Sequence, residues 1–483
     1  MRVLILGAGV SGHTAALLLR KRLGRAHEVM VVTPNSRWNW IPSNIWVGVG
    51  VMSTEQVSFE LAPIYRKKGI AHHQAKAIEL YPEGGPGHER PFVVAERTDA
   101  EHVGERLELE YDFLINATGP RLNFQATPGL GPEGHSLSVC TSQHAADTAK
   151  ALEALIAEMK QGHQKTLVVG TGHGLCTCEG AAFEYIFNLE FELRKAGVRD
   201  RARLVFLTNE AELGDFGVGG LHLKMGGYVA PSRVFTESLF VERGVEWIVG
   251  AHVHRVEPKL VKYEILDGTQ HELAFDFAML LPPFGGVPLK AFDRAGTDIT
   301  SQLFAPSGFM KVDADYTPKD PSLWKPEDWP ERYQTPKYKN VFAIGIAFAP
   351  PHQISIPRKT ANGVAVAPSP PRTGMPSAIM GRAVANSIVD MIAGAPDATR
   401  GASMARLGAA CVASAGKGLF DGTAASMTMF PIVPDYEKYP DSGRDLTHTT
   451  GEIGLAGHWI KHLLHHAFLY KAKANPMWWI IPE

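Results

Sequence analysis

Residues 3–23 read VLILGAGVSGHTAALLLRKRL, and this stretch decides the fold. Val3 to Leu6 is a short apolar run of the kind that a strand buried on both faces requires. Gly7, Gly9 and Gly12 follow as G-A-G-V-S-G, and HTAALLLRKRL then forms a helix with Ala15, Leu18 and Leu19 on one side. Strand, glycine turn and helix come in the order of a dinucleotide-binding unit. The first glycine permits the turn, the second lets backbone approach a pyrophosphate, and the third allows close packing of helix on strand. The helix N-terminus offers free N–H groups to the phosphates. A second strand, Glu28 to Thr33, lies at the right distance, but Thr33, Pro34 and Asn35 stand where a ribose-binding acid is usual.

Two later stretches favour FAD over NAD in this unit. Asn116-Ala117-Thr118-Gly119-Pro120 follows the apolar YDFLIN strand, and Phe342-Ala343-Ile344-Gly345 ends another strand, with Ile346 in place of the common acid. Both resemble FAD-domain signatures of two-dinucleotide-fold flavoproteins. The resemblance implies that Gly7, Gly9, Gly12, Thr33, Ala117, Thr118, Gly119 and Gly345 hold the cofactor. Between them a second unit begins with the strand Thr166 to Gly170 and the turn G-T-G-H-G-L-C-T-C-E. A helix from about Glu179 to Ala196 and a strand Ala202 to Leu207 complete it. The expected fold is α/β, with tandem Rossmann-like domains and a C-terminal amphipathic membrane-binding segment. The divisions are 1–120 and 286–400 for the FAD domain, 121–285 for the insert, and 401–483 for the C-terminal region.

The bulk numbers agree. A chain of 483 residues, 45% hydrophobic and 20% charged, has core material for two or three domains. A net charge of −2 gives no reason to expect nucleic acid. Four cysteines, Cys140, Cys176, Cys178 and Cys411, are too few for a disulfide scaffold. No apolar run approaches the roughly 20 residues of a bilayer span. The first residues already read as a strand, so no cleaved signal peptide is expected.

Leu175 occupies the third fingerprint position of the second unit, and Cys176 and Cys178 sit where its helix begins. The turn then suits pyrophosphate poorly, so the fold is kept while pyridine-nucleotide binding is lost. A cysteine near a helix N-terminus has its thiolate stabilised, which suits redox work; the plain alternative is a buried small hydrophobe. Cys411, in LGAACVASAG, reads as a packing residue.

Several collinear stretches resemble the sulfide:quinone oxidoreductases. They are Arg37 to Trp46, with Pro42, Ser43 and Asn44 in P-S-N-x-W; Ser138-Val139-Cys140-Thr141 with His144; Cys178 followed by Glu184; Phe275 to Phe284; and Arg372-Thr373-Gly374, with arginine for the family's lysine. The resemblance implies an FAD enzyme that passes electrons from sulfide, or another small sulfur donor, to a membrane quinone. It implies Cys178 and Cys140 as sulfur carriers with Cys176 in reserve, Glu184 and His144 for protons, and Pro42, Ser43, Asn44 and Arg372 near the flavin. Two departures stand out. Ala347 replaces the cysteine expected after the last FAD glycine, and Asp215 replaces a histidine. Either Cys176 or Cys140 partners Cys178 instead, or the donor is a different one. A type II NADH:quinone oxidoreductase, for which Glu210 speaks, and a non-catalytic flavoprotein relay subunit are the other readings.

Residues 453–470, IGLAGHWIKHLLHHAFLY, carry Leu455, Trp459, Ile460, Leu463, Leu464, Ala467 and Phe468 as one helical stripe. The segment reads as lying in a membrane interface, with His458, Lys461, His462, His465 and His466 on the opposite, solvated or headgroup-facing side. No carboxylate or cysteine is near enough in sequence to complete a metal site with these histidines, so no metal is expected. Residues 354–371 are expected to form a loop over the quinone side, with Lys359 and Thr360 able to stand in for the replaced lysine, and Tyr316 to Lys339 to form a surface excursion. The placement is peripheral and monotopic, on an undetermined membrane face; a homo-oligomer is compatible with the sequence.

Overall fold

The computed structural model describes residues 1–177, 179–371 and 374–483. Cys178 and Arg372, two of the expected site residues, lie outside the described residues. The first sheet is built around the strand Arg2–Leu6. Glu28–Thr33 and Phe113–Asn116 flank it in parallel, Val341–Ala343 extends it beyond Phe113–Asn116, and Ala71–Tyr81 extends it on the other side. Val3 to Leu6 have no accessible surface, which is why this strand is apolar throughout rather than alternating.

Helices Val10–Leu23 and Gly374–Ile392 pack tightly against each other over this sheet. Gly381 makes the approach possible, because a Cβ there would lie 2.4 Å from the Ser11 carbonyl oxygen. The chain leaves the first domain through Pro120–Leu122 and returns through Phe284–Gly286, and these two strands pair with each other. Between them lies a second parallel sheet in the order Val245–Ile248, Ala202–Leu207, Lys165–Thr171, Phe277–Leu281, with a three-stranded antiparallel meander, His252 to Ala274, beside it.

The C-terminal region holds an element that the sequence reading lacked. Ala409–Gly416, Gly422–Met429 and Gly451–Gly454 form an antiparallel sheet. It lies between helix Glu179–Lys195 and helix Leu455–Ala472. Its strands are rich in Ala, Ser and Gly, so they carry little of the β-branched signal that marks a strand. The small residues serve the packing instead. A Cβ on Gly422 would lie 2.5 Å from Nε2 of His458.

This packing departs from the expected setting of the histidines on the last helix. His458 and His465 are buried, while Trp459, Ile460 and Leu463 are exposed. Of the histidine face, His466 is exposed and the rest is covered wholly or in part. His458 Nε2 lies 2.9 Å from the Gly418 carbonyl and Nδ1 lies 2.7 Å from Ser414 Oγ. A carbonyl only accepts, so Nε2 carries the proton and the serine donates to Nδ1. His465 Nδ1 meets Ser43 Oγ at 2.8 Å, and the His462 ring stacks on Trp46 at 4.5 Å. Burial pushes both His462 and His465 down to about 4.

Candidate active site

The first glycine turn has the shape a pyrophosphate needs. Gly7 has φ +97°, and a Cβ on it would lie 2.2 Å from the Ala117 oxygen; a Cβ on Gly12 would lie 2.2 Å from the Gly7 oxygen. Only glycine fits either place. A Cβ on Gly9 would meet nothing within 4 Å, so backbone is open there to an approaching group. Ala117 is tied to the strand end by its N–H to the Leu6 oxygen at 2.8 Å, and Thr118 is held by Asn116 Oδ1, which accepts from its hydroxyl at 2.8 Å. Gly345, with φ +64°, faces Ser11 of the turn helix. These residues converge at the C-terminal ends of adjacent parallel strands, where such folds bind nucleotides. The residues present therefore fit FAD.

Other expected cofactor residues have different work. Ser43 and Asn44 have no accessible surface, so their side chains do not face a ligand. Ser43 is bound to His465, and Asn44 Nδ2 donates to the Val139 oxygen at 3.2 Å. They fasten the segment Ile41–Gly48, including half-exposed Pro42, to the last helix and to the residue before Cys140. Thr33 is likewise buried and contributes by its place at the strand end.

The second glycine turn is closed. Ala367 N–H donates to the Gly174 oxygen at 2.8 Å, Ser369 N–H to the Cys176 oxygen at 2.9 Å, and Thr177 Oγ1 to the Ser369 oxygen at 3.0 Å. A Cβ on Gly174 would lie 2.5 Å from the Ala365 oxygen. The segment 354–371 thus packs against the second domain's own turn through residues 365–369. Lys359 is exposed on the strand Arg358–Lys359, where it faces solvent. Glu210 is no ribose acid. It is buried, accepts from Phe216 N–H at 2.6 Å and from Thr208 Oγ1 at 3.0 Å, and burial beside Asp215 pushes it up to about 8.

Cys140 and Cys176 are each tied to the strand Phe277–Leu281. Leu137 N–H donates to the Ala278 oxygen at 2.7 Å, which fastens the segment leading to Cys140. Cys176 donates its thiol hydrogen to the Leu281 oxygen at 3.0 Å. The setting of Cys176 is the reverse of a thiolate-stabilising helix end. It has no accessible surface, and burial, with Glu179 and Cys140 nearby, raises its thiol well above the ordinary range. In this setting its thiol is packed and donates a hydrogen bond. Burial also raises Cys140, to about 11. Cys411, raised to about 12, lies where its Sγ would be 3.1 Å from a Cβ on Gly180; it packs against the start of helix Glu179–Lys195.

The two residues expected to handle protons differ in depth, Glu184 being buried and His144 only partly so. Glu184 is buried and bridged to Lys461 at 3.1 Å, a partner that sequence spacing could not reveal. His144 is on the first turn of helix Ser142–Lys160, with Nδ1 buried and without a hydrogen-bond partner among the described residues, and burial lowers it. Ala347 is buried in the turn Gly345–Ala347, with no sulfur of its own to offer. Asp215, in place of the expected histidine, organises its own turn by accepting from Gly217 N–H at 2.9 Å and from Ser355 Oγ.

No family model matches the chain. The sulfide-quinone reductase of Aquifex aeolicus is 30% identical over 98% of this chain and 91% of that protein. The mitochondrial sulfide:quinone oxidoreductase of Mus musculus is 25% identical over 71% of this chain and 64% of that protein. Among solved structures, the sulfide:quinone oxidoreductase of Aquifex aeolicus superposes with a TM-score of 0.74 at 28% identity, covering 98% of this chain and 92% of that one. The NDH2 of Plasmodium falciparum reaches 0.63 at 12% identity, covering 99% and 97%, a likeness of fold alone. Sequence and fold agree over nearly the whole length of one relative, and on that ground this chain belongs to the sulfide:quinone oxidoreductase family.

Proposed function

We propose that the protein is an FAD-dependent, membrane-surface oxidoreductase that takes two electrons from sulfide and delivers them to quinone. The observation that carries this reading is the contrast just described: one glycine turn open to a cofactor, the other closed by the chain's own segment 365–369 with thiols beside it. A pyridine nucleotide has no seat there, which disfavours an NADH donor. FAD, when bound at Gly7, Gly9, Gly12, Ala117, Thr118, Gly119 and Gly345, supplies the two-electron redox chemistry between the substrates. The balance is HS⁻ + H⁺ + quinone → S⁰ + quinol. Sulfide loses two electrons and its proton, and quinone gains two electrons and two protons. Cys140 and Cys178 carry the sulfur, His144 and Glu184 exchange protons, and Arg372 and Pro42 serve the flavin.

The membrane assignment rests on the outer face of helix Leu455–Ala472. Leu463 is 69% exposed, and on the neighbouring hairpin tip Leu419 and Phe420 are 72% and 84% exposed. Trp459 Nε1 donates to the Leu419 oxygen at 2.6 Å, joining helix and tip into one apolar surface. Among the described residues no helix is long and apolar enough to cross a membrane. A lipid surface therefore suits this face.

An anaerobic stopped-flow experiment tests the reading. Sulfide should bleach the flavin, soluble quinone should restore it, and NADH should leave it oxidised; Cys178→Ser should abolish bleaching. The double variant Phe420→Asp, Leu463→Asp should keep recovery with soluble quinone and lose it with quinone carried in vesicles. A flavin that sulfide leaves oxidised would overturn the donor assignment.

A further inference from the structure

Glu184 and Lys461 meet across the interface between helix Glu179–Lys195 and the last helix. The ammonium nitrogen stands 3.1 Å from Oε2, with the lysine and glutamate side chains 11% and 8% accessible. Lys461 is turned inward although its neighbour Ile460 is exposed to the side assigned to the membrane. Three elements bring polar or charged groups toward this ion pair. The strand Ala409–Gly416 offers the Ser414 N–H, at a long 3.4 Å from Oε1, and the neutral thiol of Cys411. The last helix offers Lys461, with His458 and His462 on its inward face, and helix Asn44–Gly48 offers the Trp46 ring, 6.0 Å from the Lys461 nitrogen. Among the described residues, Lys461 is the one cation in ion-pair contact with Glu184.

Burial favours the neutral carboxyl, and a nearby cation favours the carboxylate. Both act on Glu184, where burial is the larger influence and Lys461 opposes it. A neutral carboxyl cannot accept a proton, so the lysine favours the form of the group that can act as a base. We infer that Lys461 is a positioning residue for Glu184, holding its carboxylate ionised and aimed so that it can take the proton that HS⁻ gives up as its sulfur is oxidised. The electrons go to quinone as in the proposed function, on which this inference rests. One consequence is that the seat of the interface helix sets the charge at Glu184.

The test has two readouts on the FAD-loaded protein in detergent. Infrared spectra across a pH series follow the protonated-carboxyl stretch of Glu184, identified by its loss in Glu184→Gln. In Lys461→Met that band should titrate at higher pH than in the unmodified protein, by about one to three units. Lys461→Arg should restore the midpoint, and thermal unfolding should show that both variants are folded. Should Lys461→Met lose the helix, Lys461→Gln, which keeps a polar side chain, replaces it. The pH profile of sulfide-driven bleaching should move up with the band. An unmoved band overturns the inference, and so does a moved band with an unmoved profile. If sulfide fails to bleach the unmodified protein, the proposed donor falls, while the infrared arm still decides whether Lys461 controls the charge of Glu184.

Discussion

The two glycine turns of this molecule start from the same local plan and end with opposite fates. Gly7 to Gly12 and Gly170 to Leu175 each follow a buried parallel strand and lead toward a helix. In the first, Gly9 faces open space; in the second, Gly174 lies against the Ala365 backbone. A dinucleotide-fold unit is therefore a scaffold, and what crosses its turn decides whether it binds. In this protein a distant segment of the same chain seals one of them.

Breaking the first turn should have the largest effect. Gly9 has extended backbone, φ −69° and ψ −170°, so Gly9→Leu strains nothing but fills the approach to the backbone. We expect a folded protein that purifies without flavin, read from its visible absorbance; full flavin occupancy would refute the assignment of this turn. Disturbing the second turn should cost stability only. Gly174→Ala pushes a methyl toward the Ala365 oxygen, an overpacking worth roughly 1–3 kcal/mol. Chemical denaturation should show that loss with flavin content unchanged, and a gain of NADH-driven bleaching would overturn the view that the site is lost.

A smaller effect concerns pH. Glu210, near the second turn, is pushed from 4.5 up to about 8 by burial and by Asp215. The folded protein then binds more protons than the unfolded chain between these values. Its contribution to stability is fully present below about 4.5 and is lost as pH rises toward 8. Glu210→Gln removes this titration, so its unfolding midpoint should fall less steeply over that window than that of the unmodified protein. Parallel slopes would show that Glu210 does not titrate there.

The sequence by itself determined what local chemistry can encode. Gly7, Gly9 and Gly12 betray their turn because no other residue fits its close approaches. The run from Val3 to Leu6 betrays a strand covered on both faces, and Leu175 already marks the second turn as unsuited to pyrophosphate. The collinear stretches around Cys140, Cys178 and Phe275 to Phe284 carry the family. Only the tertiary structure decided which groups those stretches face. Periodicity locates the two stripes of helix Leu455–Ala472, but a period does not say which stripe turns inward; the small residues of the sheet Ala409–Gly454 make room for His458, and a buried carboxylate draws Lys461. The same limit applies to Cys176. Its place before a helix suggested a stabilised thiolate, and burial against the Leu281 carbonyl favours the neutral thiol. Charge, burial and plugging depend on residues far away in the chain, and those meet only when it folds.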